Sequence, residues 1–222
     1  MRTVVKGTVN SVLGFVVVGA LLFLPAGTVV YWQGWVFLAT LILSAGAPNL
    51  YLVLTDRAAF ERRLQAGREN RPAQQAAIAL LMGSFAGLLV VSALDVRFGW
   101  SSMPGGVSVI GDGLFAVGIV LAVLVVVQNS YAAGNITVEE EQRVVSTGPY
   151  GVVRHPMYSF ALLATVGCPL ALGSWAAMGF LVPAVLALVL RIRDEERMLA
   201  QELDGYRAYM STTRFRLIPY AW

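Results

Sequence analysis

The chain's one histidine, His155, stands between Arg154 and Pro156 in the stretch 142–158, QRVVSTGPYGVVRHPMY. A proline suits the first turn of a helix, because its missing N–H would have no partner there. The residue before a proline is pushed out of the helical region. His155 is therefore expected at the mouth of a helix and not inside one. Helix mouths carry unpaired N–H groups and a partial positive charge, which suits anions. Further on, Arg191 and Glu195 are four residues apart, so they share a helix face. A guanidinium can grip an anionic group through two parallel hydrogen bonds, and a carboxylate can hold an amine or sugar hydroxyls. Taken alone, this spacing fits an ordinary salt-bridged face equally well, and Tyr150, Tyr158, Tyr206 and Tyr209 fit interface anchors. A polar loop of this kind at a membrane surface suits a charged cofactor held beside a lipophilic substrate.

The elements that must position these residues are apolar. Of 222 residues, 57% are hydrophobic and only 13% charged. Soluble domains carry about 25% charged residues, so the composition is that of a membrane protein. The single cysteine, Cys168, excludes an intramolecular disulfide and a cysteine cluster for zinc, and its apolar surroundings make it buried filler. The net charge of +3 fits an anionic lipid surface better than nucleic acid, for which no motif is present.

A spanning helix needs about 20 apolar residues. The uncharged run 7–55 holds two, with a turn expected at 31–35 around Tyr31, Trp32 and Trp35, and with kinks expected at Pro25 and Pro48. That run is too long for a signal peptide's apolar core, so retention as a first membrane helix is expected. The charged segment 56–71 reads as a solvated connector. Pro72 opens a third span to Leu94, 95–106 reads as a connector, and 107–131 gives a fourth span. The apolar run 157–190 is broken by Pro169, Gly173 and Ser174 and reads as a helical hairpin. Such a hairpin returns Arg191 to the side of His155. The N-terminus, 56–71, the central loop and the tail then share one side, which holds every one of the 16 Lys+Arg residues except Arg97. The positive-inside rule makes that side cytoplasmic. The fold expected is an all-α polytopic membrane bundle of about five to six membrane segments, with a cytoplasmic loop and C-terminal helix. Two regions are expected, 1–131 as N-terminal spans and 132–222 as the catalytic part.

The chain resembles the membrane-embedded isoprenylcysteine carboxyl methyltransferases and their bacterial relatives. Two blocks carry the likeness: Gly148, Tyr150, Arg154, His155, Pro156 and Tyr158 in the loop, then Arg191, Glu195, Glu196, Tyr206, Tyr209, Arg216, Pro219 and Trp222. Two blocks in the right order and spacing are more specific than either alone. The resemblance covers about 129–222 and implies an integral membrane methyltransferase that uses S-adenosylmethionine without a Rossmann sheet. By position, it implies cofactor contacts at Gln142, Arg143, Val144, Val145, Tyr150, His155, Pro156, Met157, Tyr158 and Glu195. It places Arg191 toward the substrate and a further polar contact near Asn135. Arg191, Glu195 and His155 become the residues on which catalysis depends.

Methyl transfer from a sulfonium to a carboxylate needs little acid–base help, so placement and water exclusion are the expected contributions. No metal-ligand cluster is needed. The expected substrate is a lipophilic, isoprenylcysteine-like carboxylate, reached from the bilayer. Phospholipid amine or small-thiol methylation is the alternative within transferases. A non-enzymatic membrane assembly protein is the alternative from another class, and the joint presence of His155, Tyr158, Arg191 and Glu195 argues against it.

Overall fold

The computed structural model describes residues 2–55, 71–133 and 142–222. Among these described residues seven α-helices follow in order: α1 Arg2–Ala26, α2 Trp32–Thr55, α3 Pro72–Phe98, α4 Gly105–Gln128, α5 Pro156–Ala171, α6 Leu181–Glu202 and α7 Tyr206–Thr212. No strand occurs among the described residues. Five helices are long and apolar enough to cross a membrane, and α5 is a shorter apolar helix. Their outward faces stay apolar, with Leu24, Leu43, Leu54 and Val182 each more than 70% exposed, as expected where lipid replaces water.

The expected punctuation is recovered where prolines and glycines set it. Pro72 and Pro156 each occupy the first turn of a helix, and Gly99 ends α3 in the left-handed region at φ 63°. The hairpin turn falls at 172–175, with Gly173 at φ 72°. Three expectations shift. The turn between the first two spans lies at 27–31 and not 31–35, because Trp32 and Trp35 begin α2; the Trp35 indole instead donates to the Val29 carbonyl at 2.9 Å. The third span runs on through Asp95 to Phe98. The fourth stops at Gln128, and Ser130–Ala133 forms a 3-10 turn where a helical end at Tyr131 was expected. Pro25 sits in the last turn of α1, and Pro48 lies within α2 without ending it.

The closest helix pair is α4 against α5. Gly111 and Gly118 face the α5 backbone around Leu170 and Phe160, and Gly167 faces α4 at Phe115 and Gly111. A Cβ at any of these positions would meet backbone, so small residues set the approach distance, as is common between helices in lipid. Leu22, Phe37, Leu88, Leu89, Phe115, Cys168 and Leu172 fill the centre, and Cys168 is buried and free.

The bundle has two polar ends. At one, the hairpin turn meets the α1–α2 and α3–α4 turns. The Tyr31 hydroxyl donates to the Leu172 carbonyl at 2.7 Å, and Asp95 accepts from Ser101 and Ser174. At the other end stand the start of α3, the end of α4, the loop before α5 and the last turns of α6.

Candidate cofactor cleft

Chain geometry brings His155 to the polar end opposite the hairpin turn. His155 is the N-cap of α5, with φ −125° and ψ 61°, so it stands outside the helix as expected. Its backbone N–H donates to the Arg216 carbonyl at 2.9 Å, and that of Arg154 donates to the Phe215 carbonyl at 2.8 Å. The tail is thus laid across the mouth of α5. Ser159 fastens it further by donating to the Leu217 carbonyl.

Beneath this strap lies a buried charge cluster centred on Glu196, which is only 4% exposed. Arg154 Nε donates to its Oε1 at 2.6 Å, and Arg216 Nε to its Oε2 at 2.7 Å. His155 Nε2 is 3.3 Å from the same Oε1. Arg154 Nη1 also donates to the Thr213 and Arg214 carbonyls. Two cations and a ring nitrogen around one carboxylate satisfy charges that would be costly to bury alone. This cluster fixes the His155 ring, which also stacks on Tyr158 with centroids 5.7 Å apart.

Glu195, one residue earlier, points elsewhere because successive helical residues are rotated by about 100°. It accepts from the Tyr158 hydroxyl at 2.8 Å, and its other oxygen is 4.0 Å from His155 Nδ1. Tyr158 in turn accepts from Arg191 Nε at 2.9 Å. Arg191 and Glu195 thus share a face of α6 and are joined through Tyr158.

A cleft open to solvent lies between the loop, α5, α6 and α7. Gln142, Arg143, Val144, Val145, Tyr150, His155, Pro156, Met157, Tyr158 and Glu195 all line it. Arg191 does not; it stands behind Tyr158. Asn135 lies outside the described residues. The remaining walls come from residues not expected as cofactor contacts, among them Asn129, Arg154, Met198, Leu199 and Tyr206. Tyr206 belonged to a recognised motif, so its spacing was a usable signal. Asn129 and Met198 carry none, being a polar residue at a helix end and an apolar residue on an amphipathic helix.

Two atoms in this lining are conspicuous. Asn129 Nδ2 donates to the Tyr150 hydroxyl at 3.1 Å, which leaves Asn129 Oδ1 buried without a partner, and the Tyr206 hydroxyl is likewise buried without one. Buried polar atoms are normally paired, and an orphan costs about 1–3 kcal/mol. Both therefore fit a ligand that brings hydrogen-bonding groups into the cleft. Burial pushes the phenols of Tyr150, Tyr206 and Tyr209 up, that of Tyr209 to about 12, so all three keep their protons at neutral pH. Tyr209 uses its proton on the Tyr150 carbonyl, at 2.7 Å. Among the described residues no group of acidic, histidine and cysteine side chains could hold a metal ion.

A family model described as phospholipid methyltransferase matches residues 107–204, from the start of α4 through the end of α6. That matched segment is similar to a family of membrane methyltransferases and carries most of the cleft. No curated protein matches the chain.

Proposed function

We propose that this membrane methyltransferase binds S-adenosylmethionine in the cleft between the 142–158 loop and α6, and transfers its methyl group to a lipophilic acceptor. One observation carries the reading: the residues that the loop and helix motifs mark as cofactor contacts, remote in sequence, line a single cleft that also holds orphaned polar atoms.

The donor set fits the cofactor's chemistry. The Glu195 carboxylate, the Asn129 amide oxygen and the Tyr206 hydroxyl suit its ammonium and ribose hydroxyls. Arg143 and the first turn of α5 suit its carboxylate. Val144, Val145, Met198 and Leu199 offer an apolar surface for the adenine. When bound, the cofactor supplies a methyl group on a sulfonium, already activated for displacement. The protein's share is therefore placement and water exclusion. Arg191, beside Tyr158, is suited to hold an anionic acceptor from the membrane side. The charge asymmetry supports a cytoplasmic site.

An isoprenylcysteine-like carboxylate is the preferred acceptor, because a guanidinium fixed behind Tyr158, on the membrane side of the cleft, matches a carboxylate. The family match supports a second reading, a phospholipid amine, which needs no such cation. Methyl transfer from labelled cofactor to an S-prenylated cysteine analogue and to phosphatidylethanolamine vesicles, run side by side, separates them. Transfer to the vesicles alone would overturn the preferred acceptor, and transfer to neither would count against both.

A further inference from the structure

Gln74 lies in the first turn of α3, outside the segment that matches the methyltransferase family, yet it is fully buried and bonded to the site. Its Oε1 accepts from Arg191 Nη1 at 3.0 Å. Its Nε2 donates to the Arg191 carbonyl at 3.2 Å and to Asp194 Oδ2 at 2.6 Å. Asp194 is held from its other side by Arg71 Nη2 at 2.9 Å. Both ends of the Gln74 amide are thus committed, and its orientation follows from them: the carbonyl must face the guanidinium.

The protons along this path have only one arrangement. Arginine can donate but never accept. Arg191 Nε therefore makes the Tyr158 oxygen an acceptor, and the single Tyr158 proton goes to Glu195 Oε2. That bond occupies one oxygen of Glu195 and fixes the plane of its carboxylate within the cleft. Remove Gln74, and the guanidinium loses a partner that helps to hold it against Tyr158.

We infer that Gln74 is a positioning residue for the cofactor site, acting through Arg191 and Tyr158 to set the carboxylate of Glu195. This rests on the reading that the cleft binds S-adenosylmethionine. It makes the start of α3, in the N-terminal half of the bundle, part of the cofactor machinery supplied by the C-terminal half. It also explains a buried glutamine in a helix that otherwise needs apolar residues, where an amide is kept only if every hydrogen bond is made.

Calorimetric titration of S-adenosylmethionine into the detergent-purified full chain tests it. Gln74→Met keeps the length and volume of the side chain and removes the hydrogen bonds. It should weaken binding about tenfold, the effect expected of one lost hydrogen bond to a charged group. Arg191→Lys breaks the relay at its middle, since an ammonium cannot reproduce the planar fork, and should give a loss of similar size. In a Tyr158→Phe background, where the relay is already cut, Gln74→Met should add nothing. A loss that adds in full to that of Tyr158→Phe would mean that Gln74 acts through packing alone, and would overturn the inference. So would undiminished affinity in both Gln74→Met and Arg191→Lys. Absence of binding by the unmodified chain would instead overturn the cofactor reading, and this inference with it.

Discussion

The two polar ends of the bundle are built from similar parts and do different things. At the hairpin end, Asp95 takes hydrogen bonds from Ser101 and Ser174, and Ser174 also accepts from the Ala177 N–H. These polar atoms answer one another and pin three turns together. At the cleft end, Glu196 is satisfied in the same way by Arg154, His155 and Arg216. Its neighbours, however, are not all answered: Asn129 Oδ1 and the Tyr206 hydroxyl are buried and unpartnered in the cleft lining. At the hairpin end the Ser108 hydroxyl beside Gly173 is also buried without a partner, so what sets the cleft end apart is that its unanswered atoms belong to residues lining an opening to solvent.

That contrast can be broken by substitution. The largest effect should come from Glu196→Ala, which strands Arg154 under the tail; losing one partner of a buried ion pair costs about 3–5 kcal/mol. Thermal unfolding in detergent should show a steep loss of stability, and near-native stability would mean that the cluster does not hold the tail. Next comes Arg191→Ala. Turnover should fall on the order of a hundredfold, well beyond the roughly tenfold loss of cofactor affinity that passes through Tyr158. Equal losses in the two quantities would remove any separate role toward the acceptor.

Asp95→Ala probes the other end. It should cost about 1–3 kcal/mol of stability as the serines lose their acceptor. Cofactor affinity should stay at the wild-type value, and a matching fall in affinity would erase the distinction between the ends. The smallest effect is one of pH. Tyr209 has its pKa raised by burial from 10.0 to about 12, so the folded chain holds its proton more tightly than the unfolded chain. Its contribution is fully present below pH 10.0 and is lost as pH rises through about 12. Unfolding followed from pH 9 to 12 should show stability falling, and Tyr209→Phe should flatten part of that slope.

Much of this was readable from residue order. Pro72 and Pro156 announce helix starts, and the break at Gly173 and Ser174 announces the hairpin. The loop residues and Glu195 could be named because two short blocks carry the resemblance to a known family, from which their roles follow by position. What escaped did so for physical reasons. Glu195 and Glu196 are identical in type, and only the helical rotation, fixed by what packs around α6, sends one to the cleft and the other to the buried cluster. Gln74 is one of two adjacent glutamines at the start of an apolar run, and nothing local marks it out from Gln75 or links it to Arg191, 117 residues away. Trp32 and Trp35 look like turn residues because aromatics favour interfaces, yet they serve equally as the first turn of a helix there. Arg191 sits on the expected face but behind Tyr158, a placement that depends on how α5 crosses α6.

The central claim is that the cleft binds S-adenosylmethionine, and calorimetric titration of the purified chain tests it most directly. The unmodified protein should bind one equivalent. His155→Ala and Glu195→Ala should each weaken binding by on the order of 1–3 kcal/mol, the size of a charge-assisted hydrogen bond. Tyr206→Phe should weaken it too while leaving thermal stability intact, because its hydroxyl has no protein partner to lose. Binding that is unchanged in all three variants would place the cofactor elsewhere and contradict the account.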